Sequence, residues 1–270
     1  MKITAIVCCV NYSDFLIWFL LFNKSQFNRT IVVTTPDDLD TIKVCNFNYV
    51  ECITTTAFYE NGQVFGKSQG INVALNKLKE ENYDGWICHI DADIILLPRT
   101  MQFIREVIYE TNEAEKCIFG IDRFKIVGFD NWINFLTNPT SLYEQEVWLR
   151  TDLFTIFPRV FKNTWLPIGY FQLWHSSITM EYPTVNENAA RADMLFAMNW
   201  FRKYRQFIPE AIAFHLESEL CEMGTNWHGR KTKLFKNLPK YEKPKYEKSE
   251  IVNKKSWWDN FCDFLKKDIF

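Results

Sequence analysis

Short apolar runs alternate with segments of helical spacing over residues 1–90, and this alternation restricts the fold more than any other feature of the chain. Four runs rich in β-branched and aromatic side chains predict strands, at residues 3–10, 30–34, 49–54 and 85–90. Three intervening segments predict helices, at residues 13–23, 37–43 and 68–81. Ser13 is placed to cap the first of these helices. Because strands that alternate with helices pair in parallel, with helices on both faces, the sequence predicts an α/β fold.

The second half of the chain alternates less regularly. Helical spacing predicts helices at residues 98–109 and 189–203, and apolar runs predict strands at residues 117–120 and 207–215. Residues 130–165 are rich in aromatic side chains and receive no assignment. No internal repeat is visible, so we predict one Rossmann-like domain and not a repeat array.

The last part of the chain differs in composition from the rest. Residues 228–255 contain ten Lys and Arg residues against three Glu residues, and two prolines make the stretch linker-like. Aromatic and aliphatic side chains recur near helical spacing in residues 256–270, which predicts a short amphipathic helix. We therefore divide the chain into an α/β domain at residues 1–235 and an extension at residues 236–270, formed by a basic linker and this helix.

Composition sets the broad class and the compartment. Of the 270 residues, 47% are hydrophobic and 24% are charged, as in globular domains, and the net charge of -2 gives no global basic field that points to nucleic acid. The eight cysteines form no C-x-x-C pair, and several lie in apolar runs. We therefore expect reduced thiols and a cytoplasmic protein, in the host cytoplasm if the source is viral. No signal peptide precedes the first strand, and the longest apolar run, Phe15 to Phe22, is far shorter than the ~20 residues that span a bilayer.

An Asp-x-Asp motif follows the fourth predicted strand. Asp91 and Asp93 are two residues apart on an extended chain, so their carboxylates point the same way and can share one hard cation, Mn²⁺ or Mg²⁺. In parallel sheets, ligands bind beyond the carboxyl ends of the strands, where this motif lies. A solvated turn at the end of a strand is the alternative interpretation. The apolar residues on both sides, Ile90 before the motif and residues 94–97 after it, favour the metal site.

A cation held in this way suits a nucleotide-sugar substrate, because the metal neutralises charge on the departing diphosphate. The motifs of this chain also occur in an order that resembles glycosyltransferases of the GT-A fold over residues 1–235, with Asp91-Ala92-Asp93 matching their D-x-D motif. The resemblance implies a mixed, mainly parallel sheet flanked by helices. It also implies a metal-dependent glycosyltransferase with a nucleotide-sugar donor, expected to be a UDP-sugar.

The resemblance extends to the donor site. Val10, Asn11 and Tyr12 close the first strand, where such enzymes hold the nucleotide. Lys67 and Gly70 stand at the start of the helix before the D-x-D motif. The resemblance therefore implies that these five residues bind the nucleotide-sugar.

Metal ligands and a catalytic base are implied as well. Asp93 is the expected metal ligand, and Asp91 contacts the metal or the ribose. His215, late in the chain, is the expected third ligand, with a core or surface histidine as the alternative. Asp193 matches the late acidic pair that supplies the base in inverting members, although an alanine replaces the usual Glu before it. The alternative for Asp193 is a structural role, in which its negative charge is favoured by the helix dipole at the start of a helix. Glu187 is the second candidate for the base.

Polar residues elsewhere in the chain are further candidates for binding the nucleotide-sugar donor. The segment from Asn226 to Arg230 resembles an N-W-x-G-R signature of bacterial and phage glycosyltransferases. Arg230 and Lys231 follow a glycine that would let a loop close, and an arginine fork suits phosphate oxygens. An ordinary basic surface is the alternative. Asp38, after the second strand, is a candidate contact to the uracil or ribose, with a solvated turn as the alternative.

The acceptor and the class of protein stay open. The basic extension favours duplex DNA, with a hydroxymethylated base of a phage genome as acceptor. The aromatic helix favours an anionic membrane surface and hence a saccharide or lipid-linked glycan. A nucleotidyltransferase also places paired aspartates on an α/β sheet, but usually with a glycine-rich loop that residues 10–13 lack. A non-catalytic nucleotide-sugar-binding module is the third class, and the intact Asp91, Asp93 and His215 argue against it.

Overall fold

The computed structural model describes residues 1–127, 129–137, 166–167, 169–184, 189 and 191–217. The first third alternates strands and helices: β1 (Ile3–Cys8), α1 (Ser13–Asn23), β2 (Arg29–Thr34), α2 (Leu39–Phe47), β3 (Glu51–Thr54), α3 (Lys67–Glu80) and β4 (Trp86–Ile90). The remainder contains β5 (Ile94–Leu96), α4 (Thr100–Glu110), β6 (Ile118–Val127), α5 (Phe129–Thr137), β7 (Phe171–His175), α6 (Ala192–Ala197) and β8 (Arg205–Glu217). Short 3₁₀ helices connect some of these elements, at Lys24–Gln26, Ala57–Gly62, Ala114–Lys116 and Arg202–Tyr204.

Within the described residues, eight strands form one sheet in the order β3-β2-β1-β4-β7-β6-β8-β5. The four strands of the first third are parallel to one another, as the alternation predicts. β7 runs antiparallel to both β4 and β6, whereas β8 is parallel to β6 and antiparallel to β5. The prediction of a mixed, mainly parallel α/β sheet flanked by helices is confirmed.

Both faces of the sheet are buried, as expected of parallel strands between helices. Along β1, Ile3, Ala5 and Val7 point into one core with α1 and α4, while Ile6 points into a second core with α3 and α6. A third cluster packs Trp132 of α5 against Phe15 of α1 and against residues of β5, β6 and β8. The two cores hold the carboxyl ends of β1 and β4 rigidly side by side.

Several elements differ from the prediction. In place of the helix predicted at residues 189–203, the structure has the six-residue helix α6. Just after α6, the Arg205 side chain donates hydrogen bonds to the carbonyls of Met198 and Trp200, which ends the helix there. Ser13 does not cap α1, because Tyr12 is the N-cap residue and its side chain makes no cap hydrogen bond. β5 and β7 are not predicted, because β5 has only three residues and β7 follows the aromatic-rich stretch without an assignment.

The described cysteines are free thiols, and four of them, Cys9, Cys45, Cys88 and Cys117, are buried. Cys221 and Cys262 lie outside the described residues. Of the helices that the structure describes, none has the length and apolar character needed to cross a bilayer. The extension at residues 236–270, with its basic linker and amphipathic helix, also lies outside the described part and stays a prediction.

Candidate active site

The D-x-D motif forms the turn that leads the chain from the middle of the sheet to its edge. β4 ends at Ile90, and β5 begins at Ile94 on the far side of β8. The turn is closed by a hydrogen bond from the Ile94 N–H to the Asp91 carbonyl at 3.2 Å. The Leu216 N–H donates to the Asp93 carbonyl at 2.8 Å. The motif therefore lies at the carboxyl end of β4, as predicted, and is held there by main-chain contacts.

Asp93 is buried, with 6% of its surface exposed. Its Oδ2 accepts a hydrogen bond from the Tyr12 hydroxyl at 3.3 Å and lies 3.3 Å from His215 Nε2. Burial alone would raise the pKa of Asp93, but His215, with Lys67 and Arg123, holds this pKa below its ordinary value. The other oxygen, Oδ1, is also buried and has no hydrogen-bond partner among the described residues. A buried charged oxygen without a partner is costly, so this atom is suited to a ligand.

His215 reaches Asp93 through the pairing of β8 with β5. In the antiparallel register of these strands, His215 is opposite Ile94, the residue after the motif. The late histidine and the D-x-D carboxylate are thus brought together, although they are far apart in the sequence. One carboxylate with an unused oxygen and one imidazole nitrogen are a donor set that fits a divalent cation such as Mn²⁺ or Mg²⁺.

Asp91 has a different partner. Its Oδ1 forms an ion pair with Lys67, the first residue of α3, and lies 3.6 Å from His89 Nε2. Burial raises the pKa of Asp91 and Asp93 adds to this effect, against the lowering effect of Lys67. In the described part of the chain, no group of three or more His, Cys, Asp or Glu side chains is placed to hold a metal ion. A metal contact of Asp91 stays a prediction.

Lys67 is a partly buried positive charge at a position that disfavours a cation. It stands at the first turn of α3, where the helix dipole disfavours a cation. Burial alone would lower the pKa of Lys67, but Asp91, and to a smaller degree Asp193, raise it above its ordinary value. The ammonium group therefore forms an ion pair with Asp91 of the D-x-D motif, and Asp193 acts on it only as a nearby negative charge.

Asp193 lies in the first turn of α6 and is half-buried. Its Oδ2 accepts a hydrogen bond from the Gly169 N–H. A Cβ atom at Gly169 would lie 2.6 Å from the Asp193 Cβ, so only glycine allows this contact. The structure thus places the predicted base on the same side of the sheet as Lys67 and Asp91.

The loop after β1 is shaped by Asp38. Asn11 adopts a left-handed backbone conformation, and its N–H donates to Asp38 Oδ2 at 2.7 Å. The same carboxylate accepts from the Thr34 hydroxyl at 3.0 Å and, through Oδ1, from the Thr41 N–H at 3.1 Å, which caps α2. These three hydrogen bonds give Asp38 a structural role in the loop. The alternative interpretation of Asp38 as part of a solvated turn is therefore wrong. Its contact with a nucleotide stays a prediction.

The other residues predicted to bind the donor differ in their surroundings. Tyr12 stacks on Phe15 at 4.7 Å and reaches Asp93, whereas Val10 is buried in the second core, with α3. Gly70 packs under the buried ring of Phe58, where a Cβ would lie 2.3 Å from a ring atom, so packing explains this glycine without a ligand. Three predicted residues, Glu187, Arg230 and Lys231, lie outside the described residues.

Sequence reasoning missed Gly169 and Arg123. Arg123 is buried on β6, its guanidinium lies 4.4 Å from the centre of the Tyr170 ring, and it helps to lower the pKa of Asp93. An arginine in an otherwise apolar strand is a usable signal, but the strand was predicted to end at Gly120. Gly169 follows the unassigned aromatic stretch and carried no signal.

An open cavity of about 930 Å³ lies elsewhere, at the amino ends of β1 and β4. Its lining includes Lys2, Trp86, Arg105 and Tyr109. It contains none of the predicted site residues, which meet at the opposite, carboxyl ends of these strands.

Comparison with known proteins identifies the fold. No protein-family model matches the chain, and no curated protein matches it in sequence. Among solved structures, it is similar to glucosyl-3-phosphoglycerate synthase from Mycobacterium tuberculosis in complex with Mn²⁺, UDP-glucose and phosphoglyceric acid. The TM-score is 0.50 at 10% identity, over 79% of this chain and 71% of that chain. The same enzyme with Mg²⁺ and UDP gives 0.49 at 11% identity, over 79% and 71%. The chain has the fold of GT-A glycosyltransferases.

Proposed function

We propose that this protein is a metal-dependent glycosyltransferase that moves a sugar from a nucleotide-sugar, a UDP-sugar, to an acceptor hydroxyl. The observation that carries the proposal is the unpartnered, buried Oδ1 of Asp93 beside His215, at the D-x-D turn of a GT-A fold. The M. tuberculosis enzyme of similar fold was solved with Mn²⁺ and UDP-glucose, which supports a divalent cation and a UDP-sugar donor.

Asp93 and His215 would hold the Mn²⁺ or Mg²⁺ ion, with Asp91 as a further ligand or a contact to the ribose. The ion would supply charge neutralisation to the departing diphosphate. Lys67 adds a second positive charge on the same side, and its position at the start of α3 lets the helix N-terminus support an anion there. Tyr12 and Asn11 line the loop in which the nucleotide would lie.

Asp193 would act as the general base of an inverting transfer. The acceptor oxygen bonds to the anomeric carbon, and the bond to the diphosphate breaks with its electron pair leaving on the diphosphate. The acceptor proton passes to the carboxylate of Asp193, whose Oδ2 is held by the Gly169 N–H. This hydrogen bond orients the carboxylate before the acceptor arrives.

For the acceptor, two sequence features support different classes. The basic residues of the extension support a hydroxymethylated base in duplex DNA, and its aromatic helix supports a saccharide or lipid-linked glycan. The phosphoglyceric acid in the structure of the M. tuberculosis enzyme is a small acid and belongs to neither class. A nucleotidyltransferase is the competing enzyme class.

The test is a donor screen with Mn²⁺, in which hydrolysis or transfer of one nucleotide-sugar is measured as release of nucleoside diphosphate. We expect Asp93→Asn to lower turnover by at least about 100-fold, because it removes the carboxylate that would hold the cation that neutralises the departing diphosphate, while the fold is retained. Asp84→Asn makes the same chemical change at an exposed position at the other end of β4 and should leave turnover unchanged.

Undiminished turnover in Asp93→Asn would show that the metal assignment is wrong. Release of pyrophosphate from a nucleoside triphosphate and a sugar phosphate would instead identify a nucleotidyltransferase. A protein that binds one nucleotide-sugar and turns over none of them would be a binding module.

A further inference from the structure

A buried group of polar side chains lies behind the candidate site and has no part in the proposed chemistry. We call it the Tyr182 cluster; its members are Asn72, His89, Gln172 and Tyr182. All four residues are buried, and His89 and Gln172 are fully so. Polar side chains are costly to bury unless they bond to one another, so a cluster of this kind fixes one arrangement of the elements that carry it.

The Tyr182 hydroxyl lies between two of these side chains. It donates to Gln172 Oε1 and lies 3.1 Å from His89 Nδ1. The orientation of the Gln172 amide follows from its other contacts, because Nε2 faces two carbonyl oxygens and must be the donor. The single proton of the hydroxyl is then used by Gln172, so the proton of the second bond comes from His89 Nδ1.

His89 is therefore a neutral imidazole with its proton on Nδ1. Burial, with Lys67 adding to it, holds the pKa of His89 well below its ordinary value, in agreement with this state. His89 and Gln172 are opposite each other on the antiparallel strands β4 and β7. The two strands thus present a donor and an acceptor to one tyrosine hydroxyl.

Gln172 connects this cluster with Asp193. Its amide donates to the Asp193 carbonyl at 3.0 Å and to the Pro167 carbonyl at 2.8 Å. Pro167 lies two residues before Gly169, whose N–H holds the Asp193 carboxylate. One amide group therefore supports the main chain of Asp193 and also the loop that orients its side chain.

Tyr182 also fixes the neighbouring helices. Its ring stacks on Phe196 of α6, one turn after Asp193, with ring centres 3.9 Å apart and planes inclined by 10°. Its main chain is bound by Asn72 of α3, which accepts from the Tyr182 N–H at 2.8 Å and donates to its carbonyl at 2.9 Å. The tyrosine thus contacts α3, β4, β7 and α6, the elements that bring Lys67, Asp91 and Asp193 together.

We propose that Gln172 and Tyr182 are positioning residues that hold the carboxylate of Asp193 in place for proton transfer from the acceptor. The inference rests on the proposed function for its kinetic consequence, and on geometry alone for the placement of Asp193. Neither residue hydrogen-bonds to the D-x-D carboxylates, and Tyr182 reaches them only indirectly, through His89, so we expect their loss to act mainly on Asp193.

The kinetic test uses Gln172→Met and Tyr182→Phe, which remove the amide and the hydroxyl while keeping side-chain size. Each should lower kcat roughly 10-fold to 100-fold, because a small misplacement of a reacting group costs this much, with the KM for the donor within about twofold. In the Asp193→Asn background neither change should lower kcat further, because the group that they position is absent. Tyr83→Phe is the matched control, since it removes a tyrosine hydroxyl that bonds to the Trp86 carbonyl far from the site.

The structural test is a crystal structure of each variant, which needs no turnover. The Asp193 carboxylate should leave the Gly169 N–H, while Asp93 and His215 keep their contact. An unmoved Asp193 in both variants, or kcat losses that add fully to that of Asp193→Asn, would overturn the proposal. If the wild-type protein transfers no sugar, the proposed function is wrong, and the crystal structures still decide whether the cluster positions Asp193. If one variant does not fold, the other is sufficient for both measurements.

Discussion

The two aspartates of the D-x-D motif lie in different environments. Asp93 is buried against His215 and keeps a pKa below its ordinary value, whereas Asp91 pairs with Lys67 and has a raised pKa. Like charges this close disfavour each other, so their environments drive the two pKa values apart. The motif therefore places its two carboxylates in different electrostatic environments, and they do not form a symmetrical pair.

Gly70 is a residue for which the packing and ligand explanations make different predictions. Alanine at this position would place a Cβ 2.3 Å from the fully buried ring of Phe58. We expect Gly70→Ala to lower the free energy of unfolding by about 1–3 kcal/mol, since overpacking outweighs the gain in helix propensity. Urea unfolding measures the change, and Phe58→Leu in the same background should recover part of it. Normal stability combined with loss of donor affinity would assign the glycine to the ligand instead.

At the scale of elements, an ion-pair network connects β2, β3 and the end of α3. Arg29 contacts Glu51 at 2.6 Å and Glu81 at 2.5 Å, and Lys77 lies within 3.4 Å of both acids. The hydrogen bond from Arg29, with help from Lys77, lowers the pKa of Glu81 from its ordinary value of 4.5 to about 2. The network is close to solvent, so salt weakens it.

This pKa gives a pH dependence with a definite sign. A carboxylate whose folded-state pKa is depressed stabilises the fold above its unfolded-state pKa and loses that effect as the pH falls. The stability difference between wild type and Glu81→Gln should be constant above about pH 5. It should shrink below about pH 5 and disappear only once the pH has fallen below about 2, the folded-state pKa. Glu80→Gln, for which the described structure shows no ion pair, is the control in the same denaturant titrations. An equal pH profile for both variants would contradict the role of the network.

At the scale of the whole molecule, the described site and the extension can be tested separately. All site residues that the structure describes lie before residue 218, whereas the basic stretch follows it. A chain that ends at residue 235 should therefore keep donor binding, if the predicted domain boundary is correct.

A DNA acceptor predicts a clear salt dependence. The full chain should bind duplex DNA with an affinity that falls linearly with salt on logarithmic axes, because bound Lys and Arg side chains release counterions. The chain that ends at residue 235 should show a much shallower slope, since it lacks seven of the ten basic residues of the stretch at residues 228–255. Fluorescence anisotropy with labelled duplex measures both slopes. Binding that is absent, or insensitive to salt, would remove DNA and leave the saccharide or lipid-linked acceptor.

Much of the fold was predictable, and particular residues show why. The strands around Ile6 and Val32, and the helix that contains Ile71, follow from the spacing of apolar side chains, because each core-facing side of an element must be apolar. The place of Asp91 and Asp93 followed as well, since a polar pair directly after a buried strand lies at its carboxyl end. β7 was missed because nothing in its local pattern separates it from the aromatic stretch before it.

By itself, the sequence determined the alternation of elements, the thiols of the core and the carboxylates at the end of β4, since these depend on neighbours along the chain. Only the tertiary structure decided which of these groups meet. Asp93 faces His215 because β8 pairs with β5, and Asp193 is held by Gly169 because Gln172 on β7 supports both of their segments. Such contacts join residues far apart in sequence through strand order and register, which no local periodicity encodes.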